Sequence, residues 1–222
     1  MSDQSIFANM IASLARQQPQ LDVLTFVEVQ RDGSFAEQIR TPRALWDNGQ
    51  RIARGLLAAG MRRGENFALL MQNHPEFVDA MTGSCIAGTV FVPIDPRTRG
   101  DKLRYMLGFA NCRGVVVADY ALANLLPLLG SLADLSWVWV LRTGALAELP
   151  QAEIPLRWLD GLPQRAAEDL QVAVSNPEQT MQMLFTSGTT GDPKAILASY
   201  NRFNSVASIG PLIGWRATDR PY

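Results

Sequence analysis

One histidine and two cysteines are all that 222 residues offer to a metal preferring nitrogen or sulfur. His74 stands alone, and Cys85 and Cys112 lie apart in the apolar stretches GSCIAG and FANCRG, with no CxxC partner. A zinc or iron–sulfur centre built from His and Cys lacks its ligands. The same scarcity argues against a disulfide framework and for buried, reduced thiols. Positive charge is not in excess either: 20 Lys and Arg against 21 Asp and Glu give a net charge of −1. Such a chain has no basic field for nucleic acid or an anionic membrane surface. The longest uncharged run, near residues 80–94, falls short of the roughly 18–20 residues of a membrane span. The first residues, MSDQSIFANMIASLARQQP, carry Asp3 where a signal peptide would be basic, and polar residues interrupt the apolar positions. They read as a short amphipathic helix. No nucleic-acid partner, no membrane span and a cytoplasmic location are the expectations.

What is present suits a globular chain. The composition is 47 % hydrophobic and 18 % charged, ordinary for a soluble domain. A chain of this length buries roughly 70–75 % of its unfolded surface. LDVLTFVEVQ and FAEQIR, joined by RDGS, read as two strands around an Asp-Gly turn. TPRALWDNGQRIARGLLAAGM reads as a helix with Thr41 as N-cap, Pro42 in its first position and Gly60 at its end. Leu45, Ile52, Leu56 and Leu57 carry its helical spacing. From there strand and helix alternate: NFALLMQN, PEFVDAMTGSCIAG, TVFVPID, RGDKLRYMLGFANC, RGVVVAD, YALANLLPLLGSL, LSWVWVLR. The strands are nearly continuous apolar runs, which predicts an α/β fold with a mostly parallel sheet flanked by helices on both faces. Residues 143–179 read as irregular surface with one short strand at PLRWL. TMQMLFTS and KAILAS then read as a strand and its return, and YNRFNSVASIG as a helix.

Between those two strands lies the chemistry. In LFTSGTTGDPKAI, Gly188 and Gly191 let the backbone approach a ligand closely. Successive N–H groups in such a turn form an anion nest. Thr186, Ser187, Thr189 and Thr190 add hydroxyl donors, and Lys194 adds a point charge suited to phosphate. The nucleotide P-loop, GxxxxGK followed by Ser or Thr and a helix, uses the same physics with a different pattern. Here Lys194 is not adjacent to Gly191, Ala195 stands where a magnesium-binding hydroxyl would be, and Pro193 precedes a β-like run. A Ser/Thr/Gly-rich hairpin loop with no ligand is the plainer reading of the same composition.

FTSGTTGDPKA resembles the phosphate-binding signature of the adenylate-forming superfamily, the acyl- and aryl-CoA synthetases, luciferases and peptide-synthetase adenylation domains. Ala195 departs from it by replacing a Gly, and ILASYNRF lacks the usual His-Arg-Asn continuation. The upstream pattern is similar too, with Gly60, Gly64, Asn73, Glu76, Gly88, Pro93 and Pro96 at matching positions. The resemblance is closest to acyl-CoA synthetases and spans residues 23–210. It implies that residues 1–222 form part of the N-terminal, ATP- and carboxylate-binding domain of a longer enzyme. It further implies ATP, magnesium and CoA as cofactors and co-substrate, and a small-molecule carboxylic acid as partner. Thr186, Ser187, Gly188, Thr189, Thr190, Gly191 and Lys194 would contact phosphate. The later motifs that bind adenine, ribose and magnesium are absent, so no complete catalytic set and no metal ligand are expected here. The chain alone is expected to be inactive and to self-associate through exposed apolar surface. A peptide-synthetase adenylation domain, a P-loop phosphotransferase and a non-catalytic nucleotide-binding module are the alternatives.

Other residues have plainer readings. His74 reads as a solvent-facing residue at a helix start. Asp95 and Asp119 each end an apolar strand, a place that suits a magnesium carboxylate but equally a strand followed by a turn. Trp137, Trp139 and Trp158 read as packing residues, and Arg97, Arg99 and Lys102 as a solvated face.

Overall fold

A computed structural model describes residues 3–30, 32–163, 168–186, 192–207 and 214. Its centre is a seven-stranded sheet in the order β7-β6-β5-β3-β4-β8-β9. These strands are β3 (Asn66–Leu70), β4 (Val90–Ile94), β5 (Cys112–Ala118), β6 (Trp137–Leu141), β7 (Leu156–Trp158), β8 (Thr180–Thr186) and β9 (Lys194–Ser199). Every pairing is parallel except β8 with β9. The fold is α/β, as the alternating pattern predicts.

The apolar strands are buried on both faces because each face has its own cover. Along β5, Val116 and Ala118 enter one core while Val115 and Val117 enter the other. That is the two-residue period of a strand read in three dimensions. The first core lies under α1 (Phe7–Gln17), α2 (Pro42–Ala58) and α3 (Pro75–Ala87). The second lies under α4 (Gly100–Phe109) and a short helix, α5 (Leu122–Leu125). The single helix expected over residues 120–132 is instead broken. Four α-helical residues give way to 3₁₀ turns over Leu126–Ser131, with Pro127 in their first turn. Proline has no N–H to continue an α-helical ladder, which accounts for the change.

The helix α2 begins and ends as its sequence dictates. The Thr41 side chain accepts the Ala44 N–H at 3.2 Å, and Pro42 opens the first turn. At the other end the N–H groups of Gly60 and Met61 reach back to the carbonyls of Leu57 and Leu56. Gly60 adopts φ 82°, as this Schellman closure requires. Leu45, Ile52 and Leu56 are buried, but Leu57 is 45 % exposed: one residue beyond Leu56, it has turned off the buried stripe.

Helices α2 and α3 meet at small residues. A Cβ added to Gly49 would lie 2.5 Å from Thr82 Cγ2, and one added to Gly83 2.6 Å from Ile52 Cγ2. Residues 168–175 differ from the expected irregular surface. They form a strap over α2 and α3. The Gln50 amide both donates to and accepts from the Leu170 backbone, at 3.0 and 2.8 Å, Trp46 Nε1 donates to Asp169, and the Ala173 N–H reaches Ile86 O. A separate hairpin, β1 (Leu24–Val29) with β2 (Phe35–Arg40), is anchored by Arg40. That guanidinium donates to Asp79 at 3.1–3.3 Å and pairs with Glu76 at 3.2 Å.

Candidate functional site

Strand order places a crevice at one end of the sheet. From β3 the chain first moves to β4, then crosses back to β5 on the other side. Loops leaving adjacent strands in opposite directions open a gap at their carboxyl ends, the usual ligand position in open α/β sheets. Here an open cleft of about 1040 Å³ is lined by Gln72, His74, Asp95, Arg97, Arg142 and Thr143, with the β1–β2 hairpin along its side. Because β8 runs parallel to β4, its last residue Thr186 emerges at this same end of the sheet.

Thr186 and Lys194 face each other where the β8–β9 hairpin opens. The Thr186 hydroxyl donates to the Lys194 carbonyl at 3.3 Å, and both residues are exposed. The antiparallel ladder thus ends with a hydroxyl and an ammonium side by side at the base of the loop. Ser187, Gly188, Thr189, Thr190 and Gly191 lie outside the described residues. Neither Thr186 nor Lys194 lines the 1040 Å³ cleft. The base of the loop and the cleft share an end of the sheet.

The hairpin is held at its far end. The Gln179 side-chain oxygen accepts from the N–H groups of Ser175 and Asn176 at 3.2 and 3.3 Å and from Arg63. The Tyr200 N–H reaches Gln179 O at 3.3 Å, the Asn201 N–H reaches Pro177 O at 2.8 Å, and Asn201 Nδ2 reaches Glu178 Oε1 at 2.6 Å. Tyr200, the first residue of α6 (Tyr200–Ala207), is 1 % exposed and enters the first core, which also holds Cys85. Burial, and then the neighbouring Cys85 thiol, push the Tyr200 phenol well above its ordinary range. Sequence reasoning placed a helix here but missed the anchor. Its signal was a large aromatic directly after the return strand.

The acids at the strand ends have structural partners. Asp95 accepts from Arg97 at 2.6–3.2 Å, which holds its carboxyl at about 2. Asp119 accepts the N–H groups of Thr143, Gly144, Ala145 and Leu146 at 3.0–3.3 Å and the Thr143 hydroxyl. Burial raises its pKa, but those bonds together outweigh it and leave the carboxyl below the ordinary value. Both carboxylates sit where a strand gives way to the chain that follows it, Asp95 just after β4 and Asp119 just after β5. His74 is half-buried rather than solvent-facing, because β5 brings Tyr120 beside it. The Tyr120 oxygen accepts the Gln72 N–H at 2.8 Å and lies 3.0 Å from His74 Nε2. Trp137 and Trp139 are buried with ring centroids 4.3 Å apart, in keeping with a packing role, and Arg142 lies 3.8 Å over the Trp158 ring.

Known proteins share this architecture. Over 93 % of its length the chain superposes on a putative long-chain-fatty-acid CoA ligase from Rhodopseudomonas palustris, with TM-score 0.74 and 19 % identity, covering 48 % of that chain. It also superposes on the anthranilate CoA ligase AuaEII, solved with anthranoyl-AMP, with TM-score 0.70 and 23 % identity over 90 % of this chain and 36 % of that one. In sequence it is 31 % identical to steroid-22-oyl-CoA synthetase of Rhodococcus jostii over 166 residues, 73 % of this chain and 28 % of the relative. It is 30 % identical to tyrocidine synthase 3 of Brevibacillus parabrevis over 164 residues, 73 % of this chain and 2 % of that much longer protein. The chain thus spans under a third of these curated relatives. Residues 12–219 match the model of the AMP-binding enzymes, and the chain belongs to that adenylate-forming family.

Proposed function

We propose that residues 1–222 are the phosphate-binding part of an enzyme that joins a small carboxylic acid to ATP, releasing pyrophosphate. The acyl-adenylate then passes its acyl group to the thiol of CoA. The observation that carries this reading is the β8–β9 hairpin. It sets Thr186 against Lys194 at the mouth of a Ser/Thr/Gly loop, at the carboxyl end of a parallel sheet. Thr186, Ser187, Thr189, Thr190 and Lys194 contact the β- and γ-phosphates in this scheme, and Gly188 and Gly191 shape the backbone around them. Lys194 offsets charge developing on the leaving pyrophosphate. Magnesium would supply further positive charge to the phosphates, and no ligand to it is assigned among these 222 residues. Peptide-synthetase relatives such as tyrocidine synthase 3 support a second reading, in which a carrier-bound thiol replaces CoA.

The test is calorimetric titration of the chain with Mg-ATP and with pyrophosphate, in parallel with Lys194→Ala. Binding weakened about tenfold by the substitution is the expected result, since one charge-assisted contact is lost. Folded chain that binds neither ligand would reject the loop as a self-sufficient phosphate site. The chain alone is expected to release no pyrophosphate from ATP and a carboxylate; release would overturn that part of the reading.

A further inference from the structure

The loop-bearing hairpin is joined to the rest of the sheet unevenly. Among the described residues, β8 shares six register pairs with β9, from Thr180↔Ser199 to Thr186↔Lys194, but one with β4, Phe91↔Gln182. Six antiparallel pairs make β8 and β9 one stiff unit. A single parallel pair does little to stop that unit sliding along its own axis. Met181 is fully buried in the first core and fixes which face of β8 turns inward, but a methionine side chain adapts to small shifts. What opposes sliding stands just before β8. Oε1 of Gln179 takes three donors: the N–H groups of Ser175 and Asn176 and the Arg63 guanidinium. Arg63 lies outside the hairpin, between α2 and β3. Its stem rests on Gly88, where an added Cβ would lie 3.1 Å from Arg63 Cγ. The Gly64 N–H reaches Gly88 O at 2.8 Å, and the Val90 N–H reaches Glu65 O at 2.9 Å. Arg63 is thus tied to the amino ends of β3 and β4, and Gln179 carries that fixed point to the hairpin. Through its carbonyl, Gln179 also receives the Tyr200 N–H directly after β9. Both strands of the hairpin therefore start or end on one residue.

We propose that Gln179 is a positioning residue for the loop: with Arg63 it sets how far Thr186 and Lys194 stand beyond the carboxyl end of the sheet. This role rests on the loop being a phosphate site. Six steps of about 3.3 Å separate Thr180 from Thr186, so the anchor acts over about 20 Å along the strand axis. A hydroxyl and an ammonium hold phosphate oxygens only at hydrogen-bond distance, and a displacement of about 1 Å is costly. The chemistry of the anchor is specific, because all three bonds fall on the Gln179 oxygen. Glu in its place keeps an acceptor for each donor and adds charge opposite Arg63. Ala takes that acceptor from two N–H groups and a guanidinium.

Titration calorimetry of the chain with pyrophosphate tests this, at a temperature where circular dichroism shows each variant folded. Gln179→Ala should weaken binding about fivefold or more, and Gln179→Glu should bind within about twofold of the parent chain. A residue that merely stabilises the fold would lower the melting temperature and leave the affinity of the folded chain unchanged. The backbone amide resonances of Thr186 and Lys194 give a readout that needs no ligand. Gln179→Ala should shift both, although the substitution lies about 20 Å away, and in Gln179→Glu both should match the parent. Should Gln179→Ala fail to fold, Arg63→Met removes one donor and leaves the other two, and it should weaken binding and shift the same amides. Unchanged affinity in the folded variant, or unmoved Thr186 and Lys194 amides, overturns the proposal. The phosphate reading fails separately. It falls when the parent chain does not bind pyrophosphate, or when Lys194→Ala binds as well as the parent, and the amide shifts then decide the positioning alone.

Discussion

Asp79 and Asp119 are both nearly inaccessible, yet pH acts on them in opposite directions. Burial dominates at Asp79 and lifts its carboxyl to about 6, with Arg40 and Asn48 offsetting part of the rise. The native state therefore binds a proton that the unfolded chain has already lost, so this contribution declines from about pH 4 to about pH 6. Asp119 is shifted downward by its hydrogen bonds. Its contribution is present above the ordinary carboxylate value and is lost as pH falls through the lower native value. Urea melts across this range should show the upper slope removed in Asp79→Asn and the lower one in Asp119→Asn. Asp119→Ala should cost about 1–3 kcal/mol at neutral pH, because four N–H groups lose their acceptor. Asp79→Ala should cost about 1–3 kcal/mol, because the buried Arg40 guanidinium loses its more buried carboxylate partner and keeps only Glu76. Both thiols, pushed by burial to about 12, should ignore a disulfide reagent until the chain unfolds.

At the scale of elements, the α2–α3 contact is the most exacting. Gly83→Ala drives a methyl against the branched Ile52, which a close-packed interface cannot absorb without moving. A loss of about 1–3 kcal/mol in chemical denaturation is expected, with an unchanged sheet signature in circular dichroism. The elements themselves were largely legible. Asp32-Gly33 marked the β1–β2 turn, and Thr41, Pro42 and Gly60 bounded α2, because each signal acts within a few residues. Leu57 and the break at Pro127 were misjudged where neighbouring apolar residues made a longer or wider helix plausible. The strap over 168–175 was illegible because its partners, Gln50 and Trp46, lie about 120 residues away in sequence. The site divides the same way. The loop could be read as a local motif, but the Gln179–Tyr200 anchor and the His74–Tyr120 contact arise only when distant strands pair.

Across the whole molecule, the pairing of Phe91 with Gln182 sets a timetable. The second strand to border β4 lies 91 positions further along the chain. On a ribosome adding about 5–20 residues per second, β4 waits about 5–18 s for its neighbour. During that interval β3, β5 and β6 can assemble, but one flank of the young sheet has no partner of its own. A nascent chain of this design spends seconds with a Val-Phe-Val flank available to the wrong strand. Slower translation between residues 95 and 180 should lengthen that window and raise the aggregated fraction, whereas slower translation after residue 200 should not.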